Sequence, residues 1–195
     1  MINQSDRIFI AKLITIEEAG IYNIGYQVGM VILIVVNALG NFYQPFLFKR
    51  LSDRSQKGDL EIVRTTYIGI AGLILVLIIL SVSSPYLFKF FIDSSYAKGI
   101  KYVFWTGLSY LFWGIYILFT GFIFFTKKTK FLGYLAVLNV ILNLILNYFL
   151  IINFGALGAV YATCISFFVV ALIVTIKGAK LFNLPWFDYR LIPRK

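Results

Sequence analysis

Asp6 and Arg7 stand side by side at the head of a chain whose apolar stretches otherwise carry amides, hydroxyls and rings instead of charges. A carboxylate beside a guanidinium can anchor a helix end, and a cavity-facing Arg can grip an anionic group because its planar fork binds two oxygens at once. Further on, Asn23, Tyr26, Gln27, Asn37, Asn41 and Gln44 fall within an arc of about 100° when wound as a helix at about 100° per residue. Ser109, Tyr110 and Trp113 join Thr106, Tyr116 and Thr120 in a hydroxyl and aromatic stripe about 120° wide by the same winding. Asn139, Asn143 and Asn147 form a ladder at every fourth position. Such faces suit sugars, whose C–H surfaces stack on rings while their hydroxyls pair with amides. They also suit plain packing, since amides between membrane helices act as glue worth about 0.6 kcal/mol on average.

The other chemistries are thinly supplied. There is no His and a single Cys164, which lies inside an apolar stretch, so neither a disulfide framework nor a Cys-based metal site is available. The commonest acid–base group and metal ligand is also missing. No catalytic residue, metal or cofactor is expected. The 8 acids, Asp6, Glu17, Glu18, Asp53, Asp59, Glu61, Asp93 and Asp188, all lie in or beside connections, so no carboxylate is expected mid-membrane as an ion relay. A net charge of +10 could suggest nucleic acid, but the basic residues are confined to the gaps between apolar stretches, and no nucleic-acid partner is expected.

The elements that must position these faces are membrane helices. The chain is 61% apolar and only 13% charged, with a mean hydropathy of +0.88. No charge interrupts Ala19 to Phe48, Thr65 to Phe88 or Tyr102 to Thr126, each long enough for the roughly 20 residues of a bilayer-crossing helix. The stretch from Phe131 to Ile176 is about twice that length and must fold back, with Asn153, Gly155 and Gly158 supplying the turn. The expected fold is therefore all-α, a polytopic membrane bundle of five complete spans at about 18–48, 65–88, 102–126, 131–152 and 156–177. A short apolar run, Ile8 to Ile16, contains Lys12 and is expected to be the end of a helix that begins upstream of Met1. No signal peptide is expected.

Residues 1–180 form the expected helical lobe and 181–195 an interfacial tail in which Trp186 and Tyr189 sit beside Arg190, Arg194 and Lys195. Lys49, Arg50, Arg54, Lys57, Arg64, Lys127, Lys128, Lys130, Lys177, Lys180, Arg190, Arg194 and Lys195 collect on one side of the alternating spans; only Arg7, Lys12, Lys89, Lys98 and Lys101 collect on the other. The positive-inside rule makes the first side, and the C-terminus, cytoplasmic. Gly107, Gly114 and Gly121, and the Gly158, Ala162, Ser166 ladder, read as close-packing surfaces. Glu17 and Glu18 complement a helix dipole. Pro45 is expected to break or kink its helix and is a hinge candidate.

The opening "SDRIFIAKLITIEEAGIYNIGYQVG", followed by a polar-faced span and "NFYQPFLFKRL", resembles the oligosaccharide flippases of the MOP superfamily, the Wzx-type polysaccharide transporters. In that family an Asp-Arg pair closes the seventh helix, a Gly-x-Tyr segment opens the eighth, and a Pro with aromatics and a Lys closes it; Asp6 and Arg7, Gly20 and Tyr22, and Pro45, Phe46 and Lys49 hold those positions. The match runs on through "PYLFKFFIDSSYAKGI" to the end of the chain. The resemblance covers a second lobe, and it implies two six-helix lobes around a cavity with alternating access. It implies flipping of undecaprenyl-diphosphate-linked glycans across the bacterial inner membrane, with the bilayer, the lipid-linked oligosaccharide and a first lobe as partners. The substrate-cavity candidates are then Asp6, Arg7, Asn23, Tyr26, Gln27, Asn37, Asn41, Gln44, Ser109, Tyr110, Trp113, Asn139, Asn143 and Asn147.

Two alternatives stand beside it. A cation-coupled drug or small-molecule exporter of the same superfamily would need embedded carboxylates from the other lobe. A membrane glycan-assembly enzyme, a polymerase or glycosyltransferase, generally needs acids or His on a sizeable outer loop, and the outer connections here are short.

Overall fold

The computed structural model describes residues 2–53 and 55–187, with side chains from Ser5 onward. Arg54 and the tail residues Asp188, Tyr189, Arg190, Arg194 and Lys195 lie outside the described residues. Seven α-helices follow one another: α1 (Ile2–Leu13), α2 (Ile16–Gly29), α3 (Ile32–Asp53), α4 (Gln56–Phe91), α5 (Ile100–Phe125), α6 (Thr129–Phe154) and α7 (Ala156–Leu181), with a 3-10 turn at Ser94–Gly99 between α4 and α5. Among the described residues there is no strand. Five stretches are long and apolar enough to cross a membrane: Ile16–Asp53, Gln56–Phe91, Ser94–Phe125, Thr129–Phe154 and Ala156–Leu181. The chain is an all-α, multi-pass membrane bundle.

Local chemistry sets the helix ends. Thr15 has extended backbone and accepts the Glu18 amide at 3.1 Å, which starts α2. Glu18 itself reaches across to α5, bonding the Tyr102 hydroxyl and, at 3.2 Å, Lys101. Ser55 caps α4 by accepting the Gly58 amide at 3.0 Å, so α4 begins well before the charge-free stretch that starts at Thr65. Asp93 accepts both the Ser95 hydroxyl at 2.7 Å and the Ser95 amide at 2.9 Å, and these bonds hold its carboxyl below the usual carboxylate range. The α6–α7 reversal is made by Gly155 alone, at φ 61° and ψ −150°, a conformation essentially closed to other residues.

Prolines mark a difference from expectation. Pro45 lies inside α3, which runs on to Asp53 without a break. The interruption of this span is instead at Met30 and Val31, where the amide of Val31 bonds the Val28 carbonyl in a tightened turn. Gly25 and Gly29 draw the preceding turn of α2 so close to Gly99 and Thr106 that a Cβ at either would collide with them. Pro85, inside α4, cannot bond the Ser81 carbonyl, and the Ser84 hydroxyl takes that acceptor at 2.9 Å.

The central element is α5, which packs against α2, α3, α4 and α7; α6 lies behind α7, and α1 rests on α2 and α6. Gly107, Gly114 and Gly121 of α5 stand where added Cβ atoms would meet Leu77, Leu73 and Leu47, so the glycine repeat is a row of sockets for leucines. Outward faces of α4 and α6 expose Ile78, Ile79, Val82, Ile141 and Ile145, as lipid contact requires.

Candidate functional site

The residues named above divide between two places. On α3 the amide arc faces outward. Asn37, Gly40, Asn41, Gln44 and Pro45 of α3, with Phe48 at one end and Ile117, Thr120 and Phe124 of α5, line a groove of about 620 Å³. A smaller hollow of about 200 Å³ at the α2–α3 interruption is lined by Gln27, Met30, Val31, Leu33, Ile34 and again Asn37. The shared Asn37 makes the two hollows neighbours along one face. Gln27, Asn37 and Asn41 are exposed. Gln44 is anchored at the groove wall, its amide nitrogen donating to the Ile117 carbonyl at 3.1 Å. At bilayer depth, exposed amides facing hydrocarbon cost several kcal/mol each. This face therefore needs water or protein against it, whereas the α4 and α6 faces do not.

The second place is buried. Asp6 is 1% exposed, and its carboxylate accepts the Tyr22 hydroxyl at 3.0 Å, the Asn147 amide nitrogen at 2.9 Å and the Thr163 hydroxyl at 3.1 Å. Asn147 also donates to the Asn143 carbonyl and side-chain oxygen, each at 3.0 Å, and Asn143 donates to Thr163 at 3.3 Å and Ser166 at 3.4 Å. The rings of Tyr22 and Tyr26 lie 5.6 Å apart, and Tyr26 shares a hydrogen bond of 2.8 Å with Tyr110. One polar network thus joins α1, α2, α6 and α7, and ring contacts extend it to α5.

These positions correct several expectations. Asp6 is not at a connection but enclosed among the spans, because α1 lies alongside α6 and packs inward instead of ending at the surface. Asp6 and Arg7 do not share a face, since consecutive helical residues point about 100° apart. Asp6 turns into the network, while Arg7 is half-buried and its Nε lies buried without a hydrogen-bond partner. Tyr26, Ser109, Tyr110, Asn143 and Asn147 are buried and not groove-lining. The reason is topological: α5 packs against four helices, which cover the part of its stripe that carries Thr106, Ser109 and Tyr110, and Ser109 back-bonds to the Trp105 carbonyl at 2.8 Å. The Asn143 and Asn147 rungs serve as the interhelical glue described above.

Three candidates fall between. Asn23 is half-buried with its side-chain oxygen unpartnered. Asn139 is buried with its oxygen also unpartnered, in a crevice of about 150 Å³ beside Trp113 and Tyr116, whose rings stack at 4.7 Å.

No family model, curated protein or solved structure matches this chain. Among the described residues no group of three or more His, Cys, Asp or Glu side chains converges. The Asp6 oxygens are of the hard type that suits cations, but here they are occupied by protein donors. Sequence inspection singled out most of these residues and missed Thr163. Its signal was its place three residues before Ser166, on the face that α7 turns to the Asn ladder.

Proposed function

We propose that this chain is the transport lobe of a membrane flippase for lipid-linked oligosaccharide, acting in surface polysaccharide synthesis at the bacterial inner membrane with its C-terminus in the cytoplasm. The observation that carries the proposal is the groove of about 620 Å³ floored by Asn37, Asn41 and Gln44 and walled by Thr120, Phe48 and Phe124. Its volume falls within the roughly 300–1,000 Å³ of small-molecule sites. Neutral amides, a hydroxyl and rings together offer hydrogen bonds and stacking surfaces, which is what a glycan requires and what a lipid tail cannot use. Rocking of a second lobe against this face would open the groove alternately to each side. The resemblance of the Asp6–Arg7, Gly20–Tyr22 and Pro45–Lys49 segments to Wzx-type flippases supports the same function.

The test is deletion of the gene in its host. Loss of surface polysaccharide with accumulation of the lipid-linked precursor is expected. Unchanged surface polysaccharide overturns the proposal, and a lost polymer without precursor accumulation points to glycan assembly instead.

A further inference from the structure

Building on the transport function above, we propose that the α3–α5 groove receives the uncharged, hydroxyl-rich stretch of the cargo and excludes ionised groups of either sign. Among the described residues, none that lines the groove or its neighbouring hollow is Asp, Glu, Lys or Arg. With a second lobe closed against the groove, an ionised group held there without a counter-charge loses its hydration and gains no partner, at a cost of several kcal/mol. A carboxylated sugar and an ammonium-bearing drug meet the same barrier. A neutral sugar does not, because each hydroxyl needs only a donor or an acceptor.

The groove supplies both. The side chains of Asn37 and Asn41 are exposed and each offers a carbonyl oxygen and an NH₂ group. Pro45 adds an acceptor, since it has no N–H for the Asn41 backbone carbonyl, its helical partner four residues back. Phe48 and Phe124 add apolar faces for sugar C–H surfaces.

The nearest charges on α3 lie past Phe48. There Arg50 is already committed, paired with Glu61 at 2.5 Å and set over the Phe46 ring at 5.8 Å, which leaves the exposed Lys49 at the end of the groove nearer the basic side. An anionic linkage group belongs at that mouth and the neutral glycan along the floor.

The experiment compares the polysaccharide lost on gene deletion with the behaviour of groove variants in the complemented strain. The lost polymer is expected to be built from neutral hexoses and N-acetylhexosamines. Asn41→Asp and Asn41→Lys are each expected to lower export at least tenfold, the order of penalty that embedded charge carries, while Asn41→Gln, which moves the amide without adding a charge, is expected to fall between them and the wild type. Immunoblots of the membrane fraction control for insertion, and Asn37→Asp replaces any Asn41 variant that does not accumulate. A lost polymer made of uronic acid repeats, or export at the wild-type level with Asn41→Asp or Asn41→Lys, overturns the neutral-cargo inference and leaves transport standing. Unchanged polysaccharide on deletion overturns transport itself, and this inference with it.

Discussion

A carboxylate taken out of water is tolerated only where donors replace its hydration. Asp6 has three, contributed by α2, α6 and α7, and it is the point at which those elements are tied to α1. Removing it leaves the buried Tyr22 and Thr163 hydroxyls without this acceptor and Asn147 with only its Asn143 bonds, whereas removing the Tyr22 hydroxyl costs one charge-assisted bond. Tyr22→Phe is therefore expected to destabilise the bundle by about 1.5–3 kcal/mol and Asp6→Leu by more. Thermal unfolding of the detergent-solubilised protein measures both. Equal midpoints for Asp6→Leu and wild type would show that the network does not hold the helices together.

At the level of elements, the connections are as specific as the spans. The α6–α7 reversal spends a single residue, Gly155, in a backbone region that a Cβ makes costly, and both helices run to either side of it without a gap. Gly155→Ala is expected to cost about 1–3 kcal/mol, read as a lower unfolding midpoint, while the exposed Gly72→Ala in α4, with nothing within reach of its added Cβ, is expected to be neutral or stabilising. The reverse ranking would place the strain elsewhere. The same elements explain why a polar arc computed along one continuous helix did not survive intact. The interruption at Met30 and Val31 divides it, so that Tyr26 is buried against α5 while Asn37 and Asn41 face outward.

Over the whole molecule, the exposed surface has two characters. The α4 and α6 faces are aliphatic, and the α2–α3 face is amide-lined. If the second face borders water, a thiol placed there reacts with aqueous reagents and a thiol on the first does not. Cys164 is buried and gives a low background. Asn41→Cys is expected to label with an uncharged, hydrophilic maleimide in intact membranes at least several-fold faster than Ile141→Cys on the lipid face. Equal, slow labelling at both positions would mean that protein or lipid seals the groove, and transport through it would fail.

The sequence by itself determined that this is a helical membrane protein. Runs of about 20 or more uncharged residues are too long for the strands of a closed barrel, which leaves the helix as the spanning structure in which every backbone group is bonded. It also determined which helix faces are polar, because helical winding depends only on spacing. What a polar face meets is a different matter, since an Asn at a given register is the same residue whether it looks toward a neighbour or toward water. The tertiary structure decided that. By placing α5 at the centre and α1 against α6, it enclosed Asp6, Asn143 and Asn147 in mutual hydrogen bonds and Tyr110 against Tyr26, and it left Asn37 and Asn41 exposed at the margin of the bundle.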